Sequence, residues 1–152
     1  GLSALAPLAA DAGCVLALEP LHRYRTSMVN TAGQALRLVS DIGHKAVGVH
    51  FDTFHANMEE RDVPAALRSV LEAGKLYHVH ACGNDRGAPG TGHLPWGDIF
   101  TVLRQGGYTG HVTMETFCPG GMDAAWHSPD LGPDQVAKDG LACLLKWLAG
   151  PA

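Results

Sequence analysis

Four short runs of aliphatic, β-branched and aromatic residues recur along the chain, each followed by a longer stretch with helical spacing. The runs are CVLALE (14–19), AVGVHFDT (46–53), LYHVHAC (76–82) and HVTMETF (111–117). Each has the length and residue bias of a β-strand. Between them, NTAGQALRLVSDIG places Ala35, Leu38, Val39 and Ile42 on one helical face, with Asn30 or Thr31 as N-cap and Gly43 as C-cap. DVPAALRSVLEAG does the same with Val63, Ala66, Leu67 and Val70, opened by Asp62 and with Pro64 in its first turn. WGDIFTVLRQGG is a shorter amphipathic helix. GPDQVAKDGLACLLKWLAG closes the chain with Val136, Leu141, Leu144, Leu145 and Leu148 as its expected buried positions. The opening GLSALAPLAADAG is also helical. The order α-β-α-β-α-β-α-β-α implies βαβ units, right-handed crossovers and a parallel sheet, either as part of a barrel or as an open doubly wound sheet.

Polar residues mark the C-terminal end of every expected strand: Glu19, Asp52, His80 and Glu115, separated by 33, 28 and 35 residues. That is one β/α unit per step, about 30 residues. Strands curving around an axis bring such side chains to one point at the C-terminal face, as in a (β/α)8 barrel, whereas an open sheet spreads them along a line. Each residue has a plainer reading. Glu19 precedes Pro20 and could face solvent; Asp52 could cap a helix; His78 and His80 point the same way and could be core histidines. Together, three carboxylates and one imidazole form an oxygen-rich set without thiolate, which suits Mn²⁺, Mg²⁺ or Co²⁺ better than a structural Zn²⁺. Burying those charges is costly unless a cation neutralises them.

Composition narrows the alternatives. The chain has 152 residues, a hydrophobic fraction of 46%, a charged fraction of 17% and a formal charge of -4. It reads as one globular domain with neither a basic patch for nucleic acid nor an apolar run able to span a membrane. Cys14, Cys82, Cys118 and Cys143 form no C-x-x-C pair, and no secretory signal is evident, so reduced thiols and a cytoplasmic location are expected. The chain starts at Gly1 inside a helical stretch and without Met, which reads as a domain lacking an N-terminal half.

The segments LEPLHRYRTSMVNTAGQALRLV, VGVHFDTFHANMEE, YHVHACGNDRGAPGTGHLPW and HVTMETF resemble the xylose-isomerase-like sugar isomerase/epimerase superfamily, most of all its D-tagatose/D-psicose 3-epimerase branch. The resemblance runs over nearly the whole of residues 1–152 and corresponds to the C-terminal four β/α units of a TIM barrel. It implies one divalent metal, Mn²⁺ first with Co²⁺ or Mg²⁺ as alternatives, held by Glu19, Asp52, His80 and Glu115. It implies a ketose or ketose derivative as substrate, an enediolate, and Glu19 and Glu115 as the acid/base pair. It also implies substrate contacts from His55 and Arg86, and, by analogy with relatives, a homo-oligomer. Arg25 departs from the family, which carries Glu there, and His22 stands where Asn is common. Arg25 either favours an anionic sugar derivative or pairs with an acid such as Glu19. Other chemistries fit the same superfamily: a metal-dependent sugar dehydratase or an apurinic-type endonuclease. An inactive half-barrel, or one completed by a second copy, is the non-catalytic alternative.

Overall fold

The computed structural model describes residues 1–117 and 132–149. Ten elements follow in order: α1 (Leu2–Asp11), β1 (Leu16–Leu18), α2 (Ala32–Ile42), β2 (Val47–Asp52), α3 (Thr53–Glu59), α4 (Val63–Glu72), β3 (Leu76–Ala81), α5 (Trp96–Gln105), β4 (Val112–Met114) and α6 (Pro133–Ala149). The four strands form one sheet in the order β1-β2-β3-β4, and every neighbouring pair is parallel. The strands lie where the hydrophobic pattern puts them, but β1 and β4 are three residues each, so Glu19 and Glu115 stand just past their ends. One helix was not expected as a separate element: α3 follows β2 directly, and Asp52 is both the last strand residue and its N-cap.

Local signals explain the helix boundaries. Thr31 caps α2 in a reciprocal capping box with Gln34, and Gly43 ends it at φ 64, a left-handed conformation that glycine adopts without steric cost. Asp62 accepts a hydrogen bond from the Ala65 N–H to open α4.

The core lies on one face of the sheet. Val47, Val49, Phe51 and Val79 pack on Val39, Leu67, Val70, Ile99, Phe100, Val102 and Leu103 from α2, α4 and α5. The other face carries Gly48, His50 and Asp52 of β2 beside Tyr77, His78 and His80 of β3. A register shift between Val49 and His50 sets Leu76 opposite Val49 but His78 opposite His50. Gly48 leaves room for the Tyr77 ring, whose Cγ would lie 2.5 Å from a Cβ built there.

The closing helix corrects one expectation. Of its proposed core positions only Leu144 is buried; Leu141, Leu145 and Leu148 are 56%, 61% and 43% exposed, and Val136 is half-buried. The helix instead packs through Gly140, Leu144 and Trp147, one residue back in each turn. Any side chain at Gly140 would collide with Met114, and Trp147 stacks on Phe100 with ring centroids 6.3 Å apart. Two adjacent apolar stripes run along this helix, and periodicity does not say which one meets the sheet.

Candidate metal centre and active site

Parallel pairing aligns the C-terminal ends of the strands. Asp52 sits opposite His80, and Glu19 and Glu115 follow β1 and β4 on either side. Each of Glu19, Asp52, His80 and Glu115 offers one ligand atom within 4.8 Å of the others. His80 Nδ1 lies at the centre, 3.2 Å from Glu115 Oε2, 3.9 Å from Asp52 Oδ2 and 4.0 Å from Glu19 Oε1. It is buried and has no hydrogen-bond partner. His78, the alternative ligand, groups instead with His50 and His80.

Arg86 is inserted among the acids. Its Nη1 donates to Asp52 Oδ2 at 2.8 Å and to Glu115 Oε2 at 2.6 Å. Its guanidinium is held between Phe54 and Phe117, with centroids 4.0 and 4.9 Å away. It adopts φ 65, uncommon for a residue with a Cβ and a mark of local strain. Its Nη2 lies 3.0 Å from Nε2 of buried His55. The His22 backbone N–H donates to His55 Nδ1 at 3.1 Å. A neutral imidazole has one acceptor nitrogen, so His55 can accept from only one of these donors. Arg25 lies on the exposed loop after β1, its N–H bonded to the His22 carbonyl.

Three carboxylates against one guanidinium leave a formal deficit of two positive charges in a partly buried site. Burial, then the Asp52 charge, raises Glu19 to about 7. Burial, then its hydrogen bond with Asp52, raises Glu115 to about 7. Asp52 goes the other way. Burial pushes it up, but the hydrogen bond with Glu115 and the charge of Arg86 hold it below the usual carboxylate range. Burial lowers His80, keeping the imidazole in its neutral, ligating form. The donor set, the unpartnered His80 nitrogen and the missing charge together fit a divalent cation, with Glu19, Asp52, His80 and Glu115 around it.

A pH dependence follows. Between about 4.5 and about 7 the folded metal-free chain holds protons on Glu19 and Glu115 that the unfolded chain has released. Stability should therefore fall as pH rises through that window, and Mn²⁺ should remove the slope by replacing the protons. Asp52 has the opposite sign: its contribution is present above its unfolded value of 3.8 and is lost on further acidification. Urea midpoints measured across pH with and without Mn²⁺ check this; identical profiles would contradict it.

Several neighbours went unread in the sequence. Cys82 Sγ is buried 3.6 Å from Asp52 Oδ1 and 3.4 Å from Arg86 Nη1. Thr53 Oγ1 bonds both the carbonyl and the N–H of Cys82, tying α3 to the end of β3. His50 Nδ1 lies 3.7 Å from Glu19 Oε1. Its position two residues before Asp52, on the same strand face, was the available signal. Cys118 lies outside the described residues; Cys14, Cys82 and Cys143 are free thiols. No helix among the described residues is long and apolar enough to cross a membrane.

A parallel α/β sheet with carboxylate and imidazole side chains meeting at the C-terminal ends of its strands defines the class: a barrel-type α/β protein with its polar site at the strand ends. Residues 1–147 match the xylose isomerase-like TIM barrel family, and the chain belongs to it. It is 40% identical over 118 residues to a D-psicose 3-epimerase of Agrobacterium fabrum, covering 77% of this chain and 40% of that protein. It is 35% identical over 134 residues to a probable ketose 3-epimerase of Synechocystis, covering 84% and 46% respectively. A crystal structure of D-psicose 3-epimerase in the presence of D-fructose superposes with a TM-score of 0.87 at 32% identity, covering 98% of this chain and 54% of that one. The chain thus spans about half the length of the relatives it matches.

Proposed function

We propose that this chain is the C-terminal four β/α units of a divalent-metal-dependent enzyme that epimerises or isomerises a ketose. The observation that carries the reading is the meeting of Glu19, Asp52, His80 and Glu115 within 4.8 Å at the ends of four consecutive parallel strands. Similarity to proteins named as ketose 3-epimerases supports the substrate class. One ion is expected, Mn²⁺ before Co²⁺ or Mg²⁺, because the set is rich in oxygen and lacks thiolate. When bound, such an ion supplies Lewis-acid stabilisation of the negative charge that develops on a carbonyl oxygen.

The chain's own residues supply the proton traffic. Glu19 and Glu115 stand on opposite flanks of the site, after the first and last strands of the sheet, and each carries a carboxylate able to take or return a proton. One removes the proton from the carbon next to the carbonyl, giving an enediolate. The other returns a proton to the opposite face, which inverts that carbon. Return of the proton to the neighbouring carbon gives isomerisation instead. His55 and Arg86 hold substrate oxygens, and Phe54 and Phe117 fix the Arg86 plane. Arg25 brings a positive charge where a carboxylate is usual and selects for anionic ketose derivatives.

The test is incubation of the full chain and Mn²⁺ in D₂O with free ketoses and ketose phosphates. Deuterium at the carbon next to the carbonyl, together with the epimeric sugar, is expected. Arg25→Ala should raise KM for the phosphate about tenfold relative to the free sugar, the worth of one charge-assisted hydrogen bond. Absence of exchange with every ketose would overturn the reading.

A further inference from the structure

The same face of the sheet carries three imidazoles that the reaction does not use as a group, His50 and His78 one layer below the carboxylate set and His80 within it. We propose that His50, His78 and His80 form a second, imidazole-only metal site, suited to a borderline transition ion such as Zn²⁺ or Cu²⁺.

Backbone register brings the three together. The shift between Val49 and His50 leaves Tyr77 without a partner and sets His78 directly opposite His50. In an unshifted ladder His50 would face Tyr77, and no three-imidazole group would form. His80, two residues on from His78, points to the same face. Ring centroids are 4.0 Å apart for His50 and His80, 5.0 Å for His50 and His78, and 5.1 Å for His78 and His80. Each residue presents one nitrogen within 4.8 Å of the other two, close enough for ring tilts to bring three donors onto one ion.

A second observation points to a ligand. His50 Nε2 is buried and makes no hydrogen bond. A stranded buried polar atom is destabilising, and the residue's other nitrogen faces Glu19 at 3.7 Å. A carboxylate behind one ring nitrogen is the usual way to orient a histidine whose other nitrogen binds metal. His80 belongs to both groups. Its Nδ1 is turned to the three carboxylates; when both ions are bound the ring releases its remaining N–H proton to solvent, and the resulting imidazolate offers one lone pair to each ion.

The donor sets sort the ions. Carboxylates favour Mn²⁺ or Mg²⁺, whereas three imidazoles favour Zn²⁺, Cu²⁺ or Ni²⁺. Three protein ligands also leave a coordination position for water. This inference stands apart from the proposed epimerase chemistry, because it requires no turnover.

The experiment uses the full chain stripped of metal, titrated with Zn²⁺ by calorimetry and with Mn²⁺ and Cu²⁺ by EPR. Wild type should take two equivalents of Zn²⁺, and its Cu²⁺ spectrum should show superhyperfine coupling to several nitrogens. His50→Asn and His78→Asn should each remove one Zn²⁺ equivalent or weaken it at least tenfold, and His78→Asn should leave Mn²⁺ binding unchanged. Glu19→Gln should weaken Mn²⁺ and keep the nitrogen-rich Cu²⁺ signal. His78 is only partly buried, so His78→Asn carries the test if the His50 variant does not fold. A single Zn²⁺ equivalent in wild type, or a second equivalent that survives both substitutions, would overturn the proposal.

Discussion

Glu115→Gln is expected to reduce ketose epimerisation by about 10²–10⁴-fold, the contribution typical of one positioned acid or base, while leaving the circular dichroism spectrum unchanged. The amide is isosteric and keeps an oxygen to accept from Arg86, which now bonds Glu115 Oε2 at 2.6 Å. It cannot take or return a proton at neutral pH. Glu115 is also one of four proposed ligands, so Mn²⁺ affinity should fall as well; rates measured at saturating Mn²⁺ separate the two effects. Deuterium exchange gives a further distinction. If Glu19 is the base, Glu115→Gln should still wash deuterium into recovered substrate without forming the epimer; if Glu115 is the base, both signals vanish. Near-wild-type turnover would remove the two-carboxylate scheme.

The largest effect on stability is expected at Asp52. Its side chain is buried and has two tasks. Oδ1 accepts from the Phe54 N–H at 2.7 Å to cap α3, and Oδ2 accepts from Arg86 at 2.8 Å. Asp52→Asn keeps a good cap but leaves the buried guanidinium with Glu115 as its remaining acid, a loss of about 3 kcal/mol. Asp52→Ala removes the cap too and should cost about 1 kcal/mol more. Urea denaturation of the metal-free chain measures both. If the two variants fall within about 1 kcal/mol of wild type, Arg86 is held by its aromatic neighbours rather than by charge.

Much of this site could be read from the chain because its geometry is periodic. Strand ends repeat every 28 to 35 residues, and parallel pairing turns that repeat into proximity without help from side chains. The details that escaped depend on packing between distant segments. Arg86 was expected only as a substrate contact; its bonds to Asp52 and Glu115 span 34 and 29 residues and follow from where Phe54 and Phe117 confine the guanidinium. His50 became a partner of His78 only through a register shift that no hydrophobic pattern records. On α6 the pattern offered two apolar stripes, and the choice between them rested on Gly140, where the absence of a side chain lets the helix approach Met114.

A single cation shared by residues from four successive strands underlies the proposed chemistry. Anomalous scattering at the manganese edge from Mn²⁺-soaked crystals of the full chain tests it most directly. A peak bonded to Glu19, Asp52, His80 and Glu115 is expected, with Arg86 displaced from the carboxylates. A structure in which Mn²⁺ binds elsewhere, while Arg86 stays between Asp52 and Glu115, would contradict it.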